Sequence, residues 1–276
     1  MSKYPPSLKK TSQSCGPGRQ RRLSFFLWIR DCAIKSFHAR GGLALAAAGL
    51  LPLSARAADF TVDTLSDVSN ATDGLTTLRE AIVLANGNSE ADTISFDDGL
   101  TGTLTLTQGQ LVVSDDLTIE GPEADDLTIS GNNSSRIFQF TGGTSELSRL
   151  TLSNGDAGEG FDGGGAILVG SLGGASTDLT VLNSKLSGNS GRDGGGISNY
   201  GTLSVVNSTF SGNSALYDGG GISNYGTLTV LDSAFSGNDA SYFGGGIFNS
   251  LPDSGGDGGT LSVVNSTFSG LSLIHI

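Results

Sequence analysis

The sequence predicts an all-β solenoid, a parallel β-helix of about seven coils closed at one end by a cap with a single short helix. Three observations carry this expectation. A ten-residue phrase returns at a period of 25 residues, small polar and apolar residues alternate inside each unit, and one isolated helical stripe lies near residue 80.

The phrase Gly194-Gly195-Gly196-Ile197-Ser198-Asn199-Tyr200-Gly201-Thr202-Leu203 returns as Gly219-Gly220-Gly221-Ile222-Ser223-Asn224-Tyr225-Gly226-Thr227-Leu228. A third copy opens at Gly244-Gly245-Gly246-Ile247. A motif at fixed period means units that are stable only when neighbours cover their apolar faces. The remainder of each unit also recurs, from Leu179 to Asn189, Leu203 to Asn213, Leu228 to Asn238 and Leu261 to Gly270. Alternation over three to five positions is the period of a short strand. A leucine-rich repeat needs a longer apolar framework and a propeller blade about 40 residues, whereas three short strands and three turns take roughly 20 to 25. Ile197, Leu203, Val205 and Phe210 should therefore point inward onto Ile222, Leu228, Val230 and Phe235, at a strand spacing of ~4.8 Å.

Asn189, Asn213 and Asn238 hold one position in successive units, and Asn183, Asn207, Asp232 and Asn265 hold another. Asn tolerates left-handed backbone, so both columns read as turn residues, and in register their amides can join coil to coil as a ladder. The Gly triplets suit tight turns where a Cβ would collide. They lack the strand-to-helix context and nearby Lys of a phosphate-binding loop. Upstream, Asp116-Leu117-Thr118-Ile119-Glu120-Gly121 is echoed by Asp126-Leu127-Thr128-Ile129-Ser130-Gly131, and strands are expected over 102–107, 110–114, 136–140 and 147–152. Stretches 153–162, 171–178 and 250–257 read as outward loops that leave the coil period intact.

The helical stripe runs from Thr76 to Asn86, with Leu78, Ile82 and Ala85 on one face and Thr76 or Thr77 able to cap its start. A first coil needs a cover, so residues 58–98 read as the cap and 99–270 as the β-helix.

Residues 1–57 hold ten of the fifteen Lys and Arg residues and a single acidic one, Asp31. With the apolar run 43–53 and Ala55-Arg56-Ala57 they read as an export signal cleaved before Ala58. From Ala58 onward five basic residues face twenty-six acidic ones, a net charge of −21. That argues against nucleic acid, which needs cations to replace phosphate counterions, and disfavours anionic lipid. Both cysteines, Cys15 and Cys32, lie in the leader, so the exported product makes no disulfide.

The cap resembles the Cys-Ser-Leu-Arg-Glu-Ala signature of exported bacterial β-helix proteins. Here it stands as Thr76-Thr77-Leu78-Arg79-Glu80-Ala81-Ile82, with threonines where the family has Cys and then Ser or Thr. The repeats resemble those of polymorphic outer-membrane proteins, marked by Gly-Gly-Ala-Ile and Phe-x-x-Asn. Gly164-Gly165-Ala166-Ile167 matches the first mark, and Phe210 to Asn213 and Phe235 to Asn238 match the second. The resemblance implies a right-handed, pectin-lyase-like β-helix that is secreted or displayed on the outer membrane or cell surface of a bacterium, with adhesion as its role. Unit four is regular to Gly270, after which Leu271-Ser272-Leu273-Ile274-His275-Ile276 reads as a non-native tail, the natural chain being expected to continue.

Beyond residue 57 there is no Cys or Trp, and His occurs only at His275, so neither a Ser-His-Asp or Cys-His constellation nor a structural zinc site is expected. The best candidates for chemistry are Asp156, Glu159, Asp162 and Asp193, with Arg192 beside them if their loops stack. The remaining acidic residues of the coils, Asp218, Asp232 and Asp239, read as scattered. The Asp- and Gly-rich loop of Asp156, Glu159 and Asp162 can bind a glycan or Ca²⁺, although its spacing matches no calcium-loop motif and solvation of turns explains it too. No other cofactor is expected. Tyr200 and Tyr225, one coil apart, can form a small sugar-binding strip or pack coil against coil. The expected function is an exported scaffold for adhesion, binding a glycan, matrix or surface protein. The alternative is a polysaccharide lyase or glycoside hydrolase acting on acidic polysaccharide.

Overall fold

A computed structural model describes residues 56–70, 72–160, 163–171, 173–250 and 258–272. Most of the expected export segment lies outside these residues, as do Asp162 and the last four positions. The chain is a right-handed parallel β-helix with an N-terminal cap. An eight-stranded sheet runs from Asp59–Val62 to Thr260–Val264, a seven-stranded sheet from Gly102–Thr105 to Thr267–Ser269, and a six-stranded sheet from Leu111–Val113 to Ile247–Asn249. A fourth, three-stranded sheet joins Ser190–Gly191, Ser214–Ala215 and Asp239–Ala240.

Register follows the repeat. Leu203 pairs with Leu228, Val205 with Val230, Phe210 with Phe235 and Ile197 with Ile222, and all eight are buried. Like residues in contact stack into columns: the rings of Phe210 and Phe235 lie 4.7 Å apart and those of Phe235 and Phe268 4.8 Å apart. Loops do not disturb this pairing. Leu228 still faces Leu261 although the chain makes a longer excursion between them.

The two Asn columns differ physically. Asn183, Asn207, Asp232 and Asn265 take left-handed backbone, with φ of 51°, 47°, 51° and 51°. In the other column that conformation falls to the preceding glycines, Gly188, Gly212 and Gly237, which correct the reading of Asn189, Asn213 and Asn238 as left-handed turn residues. These three asparagines are buried instead. Asn189 Nδ2 donates to Asn213 Oδ1, and Asn213 Nδ2 to Asn238 Oδ1, both at 2.9 Å. In the exposed column Asn207 Nδ2 donates to Asn183 Oδ1 at 2.7 Å.

Two further ladders were not anticipated. Asn199 Nδ2 donates to Asn224 Oδ1, and Asn224 Nδ2 to Asn249 Oδ1, each at 2.7 Å on the inner side of the six-stranded sheet. Ser184, Ser208 and Ser233 form the other. Their backbone N–H groups donate to the hydroxyls of Ser208, Ser233 and Ser266 at 3.1 Å, while the first three hydroxyls donate to the carbonyl two residues back at 2.8 Å. The buried amides and hydroxyls of these ladders thus find partners within their own coil or the next, as a narrow core demands.

The cap carries helix α1, Leu78–Ala85, the one helix among the described residues. Thr77 is its N-cap in a reciprocal capping box: Glu80 N–H donates to Thr77 Oγ1 at 3.2 Å, and Thr77 N–H to Glu80 Oε2 at 3.0 Å. Leu78, Ala81, Ile82 and Ala85 are buried against the first coils. Arg79 leaves the helix to hold Asp67, its Nε and Nη2 donating to the two carboxylate oxygens at 2.8 and 3.2 Å.

Candidate functional site

The outer side of the six-stranded sheet gathers the most chemistry. Alternation turns Ile197 and Asn199 inward and Ser198 outward, with Ile222, Asn224 and Ser223 repeating the pattern one coil on. Ser198 and Ser223 are nevertheless fully buried. The chain ahead of each strand folds back tightly: Gly219 has φ of 69°, and a Cβ there would lie 2.3 Å from the Ile222 carbonyl oxygen and 2.7 Å from the Ser223 nitrogen. Only glycine fits so close a reversal. The turn brings Asp193 and Asp218, the residues before Gly194 and Gly219, beside the sheet one coil apart, with Gly194 N–H donating to the Asp218 carbonyl at 2.8 Å.

Each aspartate lies against the following coil, Asp193 beside the backbone of Asp218 and Asp218 beside that of Phe243. Burial pushes both carboxyls above their ordinary range. Arg192, with Nε 3.9 Å from Asp193 Oδ2, opposes the rise at Asp193, whereas the charge of Asp193 adds to the rise at Asp218. Asp218 Oδ1 and Ser198 Oγ are buried without a hydrogen-bond partner. The Ser223 hydroxyl lies beside the Tyr225 phenol without completing a well-aligned bond. Burial is the main reason that phenol is pushed up to about 12; Ser223 draws it down, and the negative charges of Asp193, Tyr200 and Asp218 add to the rise.

Aromatic residues flank the pair on both sides. Tyr200 and Tyr225 stack at 4.9 Å with an interplanar angle of 7°, and Tyr225 meets Phe248 edge-on at 6.2 Å. On the other side Arg192, Tyr217 and Tyr242 form a column in three successive coils. Tyr217 N–H donates to the Arg192 carbonyl at 2.8 Å and Tyr242 N–H to the Tyr217 carbonyl at 3.0 Å. The Arg192 guanidinium sits 4.9 Å over the Tyr217 ring, and Tyr217 stacks on Tyr242 at 5.3 Å. Tyr217, with a coil on each side of it, is still 37% exposed, so this column faces solvent.

The remaining expected residues fall elsewhere. Asp156 pairs by a backbone bridge with Ser190, and its Oδ1 accepts from Gly158 N–H at 2.7 Å in a local turn. It borders a hollow of about 450 Å³ with Gln110 and Arg136. Glu159 is exposed, and Asp162 lies outside the described residues. Among those residues no three His, Cys, Asp or Glu side chains converge on a metal position. Arg192 and Asp193 do lie together, but the carboxylate that joins them is Asp218. Sequence reasoning missed Asp218 and the Tyr217–Tyr242–Phe243 surface, although the period holds the signal: Asp193, Asp218 and Phe243 are 25 residues apart, as are Arg192, Tyr217 and Tyr242.

No family model matches this chain, and no curated protein matches it.

The raised carboxyls have a consequence for stability. A carboxyl with a higher pKa folded than unfolded binds more protons in the folded state, so its contribution declines as pH rises from the ordinary carboxylate range through the folded value. Asp218→Asn is therefore expected to gain on the wild type progressively as pH rises from 4 to 7. Urea midpoints measured across that range check this; a constant difference between the two proteins would show that Asp218 titrates alike in both states.

Proposed function

We propose that this chain is an exported bacterial surface scaffold that binds a glycan along one face of its β-helix. The observation that supports the reading best is the outward aromatic column of Tyr217 and Tyr242, stacked at 5.3 Å beside the Asp193–Asp218 pair. Sugars are held by apolar ring faces that stack on aromatics and by hydroxyls that donate to carboxylates, and this face offers both side by side. Tyr200 and Tyr225 extend the same face, though each covers one side of the other. Export is supported by the basic and apolar leader. The Leu78-Arg79-Glu80-Ala81-Ile82 core and the Gly-Gly-Ala-Ile and Phe-x-x-Asn marks support kinship with exported β-helix proteins and polymorphic outer-membrane repeats. Immobilised glycans probed with the full chain test the reading. Saturable binding that falls about three- to tenfold in Tyr242→Ala is expected, and affinity unchanged by that substitution would remove the face from the account.

One observation favours an enzyme as the second reading. Two carboxyls one coil apart, with Asp218 raised by burial and by Asp193, are the kind of pair that divides acid and base roles in glycoside hydrolysis. A reducing-end and unsaturated-product assay on polygalacturonate, alginate and neutral glucans separates the readings. Turnover abolished by Asp218→Asn would establish the enzyme.

A further inference from the structure

We infer that Asp193, Asp218, Ser198 and Ser223 form a calcium site between two coils, beneath the glycine reversals of the six-stranded sheet. The site stands apart from the glycan reading and does not depend on it.

Register brings the four side chains together. Gly164, Gly194 and Gly219 donate their N–H groups to the carbonyls of Asp193, Asp218 and Phe243. Gly163, Asp193, Asp218 and Phe243 therefore share one column in successive coils. Leu168, Ser198, Ser223 and Phe248 share a second, paired along the sheet. Where both columns carry rings they meet, since Phe243 and Phe248 lie 6.2 Å apart and stack. One coil earlier the same two positions hold Asp218 and Ser223, and one coil before that Asp193 and Ser198. Two carboxyls and two hydroxyls thus form a polar island, closed by buried Leu168 on one side and by the phenylalanine pair on the other.

The island is under-satisfied. Ser198 and Ser223 are fully buried and neither hydroxyl completes a hydrogen bond, and Asp218 Oδ1 is buried without a partner as well. Oxygens left unpaired inside a protein destabilise it unless a ligand serves them. Water satisfies hydroxyls but does not offset charge. Arg192 Nε, 3.9 Å from Asp193 Oδ2, offsets one carboxylate, while Asp218 forms no ion pair among the described residues. A cation answers both needs, because carboxylate and hydroxyl oxygens alike can ligate it.

Spacing selects the ion. Like oxygens one coil apart stand ~4.8 Å from each other, so an ion midway lies ~2.4 Å from each. That falls within the range of about 2.3–2.6 Å for calcium–oxygen bonds and exceeds the range of about 2.0–2.1 Å for magnesium. Two carboxylates, each binding through one or both oxygens, and two hydroxyls give about four to six donors, and water completes the shell. Two acidic ligands set a modest affinity, with a Kd of about 0.1–1 mM.

Calorimetric titration of the chelator-treated full chain with calcium chloride, at about 0.15 M salt, tests the site. One saturable calcium per chain is expected, with magnesium bound at least tenfold more weakly. Asp218→Asn should weaken calcium at least tenfold, and so should Ser198→Ala combined with Ser223→Ala. Asp232→Asn, at an exposed acid in the left-handed Asn column, should leave it unchanged. Urea unfolding separates loss of the site from loss of the fold. In chelator the double serine variant should unfold at a midpoint no lower than the wild type, because it removes two unpaired hydroxyls. At about 5 mM calcium the wild type should gain and that variant should not. Three results would each overturn the site: no saturable binding, calcium binding retained by the Asp218 and serine variants, or magnesium bound as tightly as calcium. A serine variant that unfolds well below the wild type in chelator would do so too, since its hydroxyls would then be paired within the protein.

Discussion

Replacing Asn213 with Leu should cost at least about 3 kcal/mol of folding stability, and replacing the nearby Asn207 with Gly less than about a sixth of that. Asn213 Oδ1 accepts from both the backbone N–H and the side-chain amide of Asn189, at 3.1 and 2.9 Å. Its Nδ2 donates to Asn238 Oδ1 and to the Leu186 carbonyl, each at 2.9 Å. Leucine has nearly the same bulk but abandons these groups inside the rod, where each unpaired one costs ~1–3 kcal/mol. Asn207 lies six residues earlier, exposed and at φ of 47°. Glycine adopts that backbone freely, so Asn207→Gly should shift stability by less than about 0.5 kcal/mol. Urea unfolding of both variants reads the contrast. Similar midpoints for the two would mean that the buried amides do not hold the coils.

Asp67→Ala should detach the cap from the first coils while the later coils stay folded. Asp67 is buried and gathers five donors: Arg79 Nε at 2.8 Å, Arg79 Nη2 at 3.2 Å, the N–H groups of Thr107 and Gln108 at 2.6 and 2.9 Å, and the Thr107 hydroxyl at 3.3 Å. Burial by itself would raise this carboxyl, yet the Arg79 hydrogen bonds and charge, with the two N–H groups, bring it below its ordinary range. Truncation strands Arg79 half-buried without its countercharge, a loss of about 3–5 kcal/mol by analogy with broken buried pairs. In the wild type the same contribution is present above the ordinary carboxylate range and disappears as pH falls through the lowered folded value. Amide hydrogen exchange should show rapid exchange in Asp59–Val62 and Leu78–Ala85 of the variant and unchanged protection in Thr202–Val206. Wild-type protection throughout the cap would show that the contact with Asp67 is dispensable.

Much of the fold can be read from the 25-residue period, because in a parallel stack the residue one period on is the residue in contact. Leu203 on Leu228 and Phe210 on Phe235 follow from spacing alone. The Leu-Arg-Glu-Ala-Ile stretch shows its helix and cap because capping is local: Thr77 and Glu80 are three residues apart. Asp67 is hidden, since nothing local links it to Arg79 or to Gln108 across the first coils. Asn199 and Asn224 are hidden for another reason. They belong to the repeated phrase, but polarity suggests turn or solvent, and only the neighbouring coil makes an inward amide tolerable. The site was half legible. Asp193 and Asp218 share the period, yet as acids in a strongly acidic chain they read as solvated turns until the glycine reversal buries them together.

The ladders also constrain how such a rod can change length. Asn189 is completed by Asn213, Ser184 by Ser208, and Gly194 by Asp218, so the groups left open by one coil are closed by the next. Copying one whole unit in tandem returns every donor to a familiar acceptor and introduces no unmatched group. Copying half a unit sets Phe210 against a turn and breaks every ladder together. Growth and shrinkage at the level of the gene are therefore tolerated as whole coils, or as excursions outside the stack like the one preceding Gly259. A lineage carrying this chain can adjust the length of the solenoid in steps of one strand spacing while keeping the fold intact.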